Sequence, residues 1–233
     1  MEKGLAPLDK NGQSVNLHHM LQKQDGPIAE VTQSFHKDNH SVIHINDNSI
    51  SSGINRNEFN KWRSDYWKQR SNDFKKQVIM SIDIVRKAIS IINQYQDDAD
   101  FEGVKEESLI VLAERTLGFK FPDSYRFFLK NLGCGDIAGQ EFYGVIKTDF
   151  INSGIPDAIW LTLRERQESN LSENYVIISA TGDGDYIVLD CSNNKQNKVL
   201  LWTPGIKDTQ TAFRPHYDDF GDFFYDQITT LLN

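Results

Sequence analysis

The sequence predicts an α+β protein built as two bodies, and three observations lead there. A hairpin-like pattern followed by a basic, aromatic helix fills the first third of the chain. From residue 80 the pattern runs through amphipathic helices, then a meander of strands, then a closing helix. The charge changes at the same point. Residues 1–79 hold 11 lysines and arginines against 9 aspartates and glutamates, a net of +2, with five of the six histidines, whereas residues 80–233 hold 14 against 24, a net of −10.

The elements follow in order. "PLDKNGQS" is loop chemistry with a turn at Asn11-Gly12, and "VNLHHML" reads as a short strand. Asp25-Gly26-Pro27 turns the chain and "IAEVTQ" returns it, so the pair His18-His19 sits on the first arm of a β-hairpin. "SFHKDNHSVIHIN" is ambiguous, because His36, His40 and His44 are spaced as on one helix face while "SVIHI" alternates like a strand. Asn55 and Glu58 resemble a capping box. Behind it Phe59, Trp62, Tyr66 and Arg70 recur at helical spacing among Arg56, Lys61, Arg63 and Lys68. From Met80, "SIDIVRKAISIINQY" is a separate amphipathic helix, and "EESLIVLAERTLGF" is another, stopped by Gly118. "PDSYRFFLKNLG" is bracketed by a starting proline and a final glycine. "EFYGVI", the hairpin "YVIISATGDGDYIVLD" turning at Gly182-Asp183-Gly184, and "KVLLW" read as strands, and "DFGDFFYDQITTLL" as the last helix.

Composition is that of an ordinary soluble globular protein, with no apolar run near the roughly 20 residues that cross a bilayer. Met1, Glu2, Lys3 and Gly4 lack the charged-then-apolar order of a signal peptide, so the expected location is cytoplasmic with no membrane partner. Cys134 and Cys191 have no metal-like spacing and are expected as free buried thiols.

Adjacent histidines on a strand point to opposite faces, so one ring can bind a cation while the other acts as a base, provided the strand twists at its end. Phosphodiester hydrolysis needs those two jobs: a metal to neutralise phosphoryl charge and a neutral imidazole to deprotonate water. His36 and His44 would complete the shell. Spacing alone leaves solvated or satisfied core histidines as the competing reading.

The run "GLAPLDKNGQSVNLHHMLQKQDGPIAEVTQSFHK" with "SVIH" and "INRNEFNKWRSDYWKQRSNDF", about residues 4 to 75, closely resembles the LHH family of nuclease toxins of the HNH/endonuclease VII superfamily. The resemblance implies a small ββα-metal (HNH/treble-clef-like) domain over 1–79 that uses a divalent ion, Mg, Mn or Zn, on a DNA or RNA substrate. His18 matches the metal-binding histidine and His19 the one expected to activate water. His36 and His44 match the remaining pair, His36 set beside His18 as a ligand and His44 beside His19 as catalytic. Arg56, Arg63 and Arg70 are the phosphate-binding candidates, with Lys61 and Lys68 on the same helix, although a solvated helix face accounts for any one of them equally. His40 falls outside the set as a surface group, and Trp62 and Trp67 are expected in the core. The trafficking region such toxins carry ahead of the nuclease is missing from the sequence, so the chain is expected to have no export route of its own.

Residues 80–233 are similar to the SUKH superfamily of mostly bacterial immunity proteins, through "LGFKFPDSYRFFLKNLGCG", "YGVI", "IISATGDGDYIVLD", Trp202 and a last helix with paired phenylalanines. The resemblance implies an antiparallel sheet flanked by helices, whose partner is a cognate nuclease toxin domain. The motif residues pack rather than react: Tyr125, Phe128, Leu129 and Leu132 form one stripe. Functional surface is left to acidic loop residues, Asp136, Asp183, Asp185, Asp190, Asp218, Asp219 and Asp222, which also suit plain solvation. Met80 then resembles the start of an immunity protein joined to a toxin by read-through. Five or so linking residues permit inhibition in cis, or in trans between two copies as a homodimer. The expected function is a fused toxin–immunity protein, and the alternative is a non-enzymatic decoy that sequesters a related toxin through an inert nuclease remnant.

Overall fold

The computed structural model describes residues 1–46, 50, 52–192, 197–206 and 208–232. Backbone contacts divide the chain into two compact units, Met1–Gln77 and Val78–Asn233. Both mix helix and strand, the α+β class expected.

In the first unit β1 (Asn16–His19) pairs antiparallel with β2 (Ile28–Val31), placing His18 opposite Ala29 and His19 opposite Ile28. The ambiguous stretch that follows is helical, as α1 (Gln33–Asp38) and α2 (His40–Ile43). Thr32 caps α1, its hydroxyl oxygen accepting the Phe35 N–H at 3.1 Å. Asn55 likewise caps the helix after it, its Oδ1 accepting the N–H of Asn57 at 3.1 Å and of Glu58 at 3.4 Å, but the expected capping box does not close, because the Asn55 N–H donates to Gln24 Oε1 at 2.8 Å.

The helix behind that cap corrects the expectation of two helices separated near Met80. α3 runs unbroken from Arg56 to Ile92. "KKQVI" contains neither glycine nor proline, and its exposed polar residues sit as readily on a helix surface as in a linker.

In the second unit β3 (Ala99–Phe101), which follows a 3₁₀ turn at Gln96–Asp98, lies beside β4 (Gly135–Ile137), and β4 beside β5 (Gln140–Phe142). A second sheet is the antiparallel meander β6 (Tyr175–Ala180), β7 (Tyr186–Asp190), β8 (Val199–Trp202) and β9 (Phe213–Tyr217). The helices are α4 (Glu107–Leu117), α5 (Asp123–Asn131), α6 (Ala158–Glu168), α7 (Thr209–Ala212) and α8 (Phe220–Leu231). Gly118 stops α4 in the left-handed conformation, φ 87°. Gly144 answers a different demand, since a Cβ there would lie 1.8 Å from the Gly133 carbonyl oxygen. The core is aromatic: Tyr125, Phe128, Phe220 and Phe224 meet at centroid separations of 5.0 to 5.9 Å, and the Tyr125 hydroxyl donates to the Tyr143 carbonyl at 2.9 Å. Cys134 and Cys191 are free and buried, and burial pushes the Cys134 thiol up to about 12. Among the described residues no helix is long and apolar enough to cross a membrane.

Candidate metal centre and active site

Local chemistry brings three histidines together. β1 delivers His18 from its third position, and α1 presents His36 one turn beyond the Thr32 cap. Asn39 then ends α1 and starts α2, its own N–H donating to the Phe35 carbonyl at 3.1 Å while its carbonyl accepts from Val42 N at 2.9 Å. This two-step bend sets His44, the residue closing α2, on the same side as His36.

His18 Nδ1 lies 3.2 Å from His36 Nε2, and His36 Nε2 lies 3.4 Å from His44 Nε2. One ring nitrogen from each of the three falls within 4.8 Å of the others, and among the described residues no other group of three potential ligands is so arranged. Two imidazole nitrogens bound to one ion at about 2.0–2.1 Å and the tetrahedral angle stand roughly 3.3 Å apart, so the observed spacings are those of ligands around a cation. The other nitrogen of His18 is 3.2 Å from the Ile43 carbonyl oxygen. A carbonyl only accepts, so His18 Nε2 carries the proton and Nδ1 turns a bare lone pair toward the cluster. The donor set therefore fits a divalent ion.

His19 faces another way, as strand alternation requires, and its ring packs on Phe59 at 4.5 Å. Both neighbours are nevertheless buried, His18 at 8% exposure and His19 at 5%, and both line one cavity of about 790 Å³ that also reaches His36 and His44. Burial, then the Arg56 charge and His18, hold the His19 imidazole below its ordinary range. His36 is lowered by burial, then His18 and His40, and His44 by burial, then His40, His18 and His36. Neutral imidazoles are thus favoured, the form that binds cations and accepts protons.

The three candidate phosphate ligands part company. Arg56 and Arg63 line the cavity. Arg70 does not; its Nε donates to Glu30 Oε1 at 2.8 Å and its guanidinium lies 5.0 Å from the Phe74 centroid. Trp67 is core at 1% exposure, but Trp62 is 43% exposed, stacked along α3 between Phe59 and Tyr66, which corrects its assignment to the core. His40, read from sequence as a surface group, is half-buried and stacks on His44. Gln22 had no signature in the sequence, yet its amide contacts both His44 Nδ1 and the Asn46 N–H.

Several acidic residues of the second unit have local work. Asp219 caps α8 through Asp222 N at 3.0 Å and accepts the Ser81 hydroxyl at 2.8 Å, and Asp136 accepts the Gly139 N–H at 3.3 Å. Asp190 accepts the Ser192 N–H at 2.8 Å, while Asp183 accepts the Thr181 hydroxyl and Asp185 pairs with Arg214.

Comparison with known protein families gives two matches. Residues 1–73 are similar to LHH, described as a nuclease of the HNH/ENDO VII superfamily with conserved LHH. Residues 107–224 are similar to SUKH_6, described as SMI1-KNR4 cell-wall.

Proposed function

We propose, on the premise that this chain belongs to the SUKH_6 family through residues 107–224 and matches the LHH nuclease family over residues 1–73, that it joins a metal-dependent nuclease to its own inhibitor. The arrangement of a nuclease-superfamily domain fused to a SUKH domain fits a toxin with its immunity protein. The observation that carries the nuclease half is the convergence of His18, His36 and His44 at ligand spacing in a cavity shared with His19, Arg56 and Arg63.

Within that cavity the work divides by geometry. His18 Nδ1 and His36 Nε2, 3.2 Å apart, would hold the divalent ion. When bound, the ion neutralises charge on the phosphoryl oxygens of the reacting phosphodiester. Imidazole donors favour zinc-like ions over magnesium, whose ordinary ligands are carboxylates and water. His19, kept neutral by burial and Arg56, accepts the proton of the attacking water. Arg56 and Arg63 hold the nucleic acid backbone through its phosphates. The second unit, with the same net of −10, is the inhibitor, its acidic charge complementary to a basic nuclease domain, in cis or in trans.

A fragment of residues 1–79, shown to be folded by circular dichroism, tests this. It should cleave DNA or RNA when Zn, Mn or Mg is supplied, His19→Ala should lower the rate by 10²- to 10⁴-fold, and added residues 80–233 should suppress cleavage. No metal-dependent cleavage of either nucleic acid by folded material would leave the decoy reading in its place.

A further inference from the structure

The cavity that reaches His18, His36 and His44 is about 790 Å³, within the roughly 300–1,000 Å³ of small-molecule sites, and three imidazoles with one ion would fill only a corner of it. Much of the remaining wall is apolar, with Leu5, Leu8, Val15, Leu17, Ile54 and Phe59 along it. That wall is built without burying its leucines. A Cβ on Gly4 would lie 2.1 Å from Ser64 Oγ and 3.0 Å from the Ser64 carbonyl oxygen, so glycine lets the segment touch α3 beside Arg63. The Val15 N–H then donates to the Pro7 carbonyl at 2.9 Å, and Asp9 Oδ1 accepts the N–H of Asn11 and of Gln13, both at 2.9 Å. Close backbone approach and hydrogen bonds thus fix the segment, while Leu5 and Leu8 stay 67% and 66% exposed.

Charge is arranged around the same wall. Leu17 stands two residues before His19 on β1 and so shares its face, and the His19 ring packs on Phe59 at 4.5 Å. Phe59 is bracketed on α3 by Arg56, three residues before it, and Arg63, four after it, the spacings that put side chains on one helix face. Both arginines line the cavity, and neither makes an ion pair among the described residues. An apolar surface therefore borders the His19 side of the site, with two guanidinium groups placed for phosphates. A nucleotide carries the matching halves, an anionic phosphate and a flat base with two apolar faces. In a duplex those faces are stacked on neighbouring pairs and only base edges reach the grooves, whereas in a single strand they are free.

We propose that the wall carrying Leu5 and Leu8 receives an unpaired base beside the scissile phosphate, so that the site selects single-stranded nucleic acid over duplex. This rests on the nuclease reading above and deepens it by naming the substrate class. Arg56 and Arg63 supply an attraction that strand and duplex share, since both present phosphates. Selection comes from the wall. A paired base reaches it only after unstacking and unpairing, a cost that a free base does not bear.

The full chain, kept in EDTA so that no metal-dependent cleavage interferes, is titrated into fluorescein-labelled oligonucleotides of DNA and of RNA. Each is offered as a single strand, as the duplex with its complement, and as a strand with abasic central positions, and binding is read by anisotropy. In at least one of the two chemistries the single strand should bind at least about tenfold more tightly than the duplex, and the abasic strand should fall to the duplex level. Leu5→Ser/Leu8→Ser changes two exposed side chains and opens no void in a core; it should lose that preference, whereas Arg63→Ala should weaken strand and duplex together. Equal affinity for strand, duplex and abasic strand would overturn the proposal without any variant, as would binding of none of them, and so would an undiminished preference in the leucine variant. A chain that shows the preference while residues 1–79, supplied with metal, cut nothing would count against the nuclease reading alone. Metal-dependent cleavage without the preference would count against the base-binding wall alone.

Discussion

The imidazole of His40 lies flat against that of His44, with centroids 3.9 Å apart and planes 28° apart. The contact fixes the His44 ring and brings a second titratable group to its face. After burial, the His40 charge is the largest influence holding His44 below its ordinary 6.5, ahead of His18 and His36. His40→Phe keeps a flat neighbour and removes the charge. In that variant His44 should titrate closer to 6.5 than in the wild type, followed by ¹H NMR of its ring proton. An unshifted midpoint would show that the His40 charge plays no part in setting the value.

The divergence of the α3 arginines separates binding from stability. Arg56→Ala and Arg63→Ala should each weaken nucleic acid binding and reduce the slope of log affinity against log salt by about 1, the loss of one phosphate contact. Arg70→Ala should leave that slope unchanged. Its Nε–Glu30 pair is about one-third exposed, and Glu30 also accepts the Tyr66 hydroxyl, so its loss should cost about 1 kcal/mol of stability in the first unit. Anisotropy of a labelled oligonucleotide at several salt concentrations, beside a denaturant melt, checks both. A shallower salt slope for Arg70→Ala would return it to the phosphate site.

Much of this was legible in the sequence, for reasons that can be named. Caps and stops are local chemistry, so Asn55 and Gly118 marked their helices correctly. The turn at Gly182-Asp183-Gly184 likewise marked the hairpin of β6 and β7. α6 was missed although Asp157 caps it, accepting from Ile159 N at 2.9 Å and Trp160 N at 3.1 Å, because "AIWLTLRERQE" carries its apolar residues without a clean stripe. β9 was missed because Pro215 argues against a strand, and it is tolerated at the end of the sheet order, where one side has no partner strand. At the site, the histidines announced themselves by type, whereas Gln22 and the Ile43 carbonyl did not. Neither the left-handed backbone of Gln22, φ 48°, nor a carbonyl's aim leaves a pattern in residue types.

The neutral histidines make the first unit sensitive to acid. His19, His36 and His44 are all lowered from 6.5, chiefly by burial, with Arg56 beside His19 and the other histidines of the cluster beside His36 and His44. Below 6.5 the unfolded chain therefore binds protons that the folded one refuses, so stability is complete above that value and falls as the pH drops through it. Metal-free protein should melt at a lower temperature at about pH 5.5 than at about pH 7.5. The triple variant His19→Gln/His36→Gln/His44→Gln should lose most of that difference. Equal pH dependence in the variant would place the acid sensitivity elsewhere.

Glu114 sets a second acid test, at lower pH and in the second unit. Its side chain is 1% exposed, and it accepts the Phe121 N–H at 3.0 Å, the Lys120 ammonium at 2.6 Å and the Arg126 guanidinium. Burial raises its carboxyl, but the hydrogen bonds from Lys120, Arg126 and Phe121 outweigh that and hold it below 4.5. A carboxylate lowered on folding contributes stability above its unfolded value that is lost as the pH falls through the folded one. Glu114→Ala leaves the Phe121 N–H without its acceptor and takes from Arg126 one of two carboxylate partners, Glu107 being the other, and should cost about 2 kcal/mol. Glu114→Gln keeps an acceptor for the N–H and should cost less, while flattening the acid limb of the stability curve below about pH 4.5. Denaturant melts of the full chain at about pH 4 and pH 7 distinguish the outcomes, and an acid limb as steep in Glu114→Gln as in the wild type would remove Glu114 from this role.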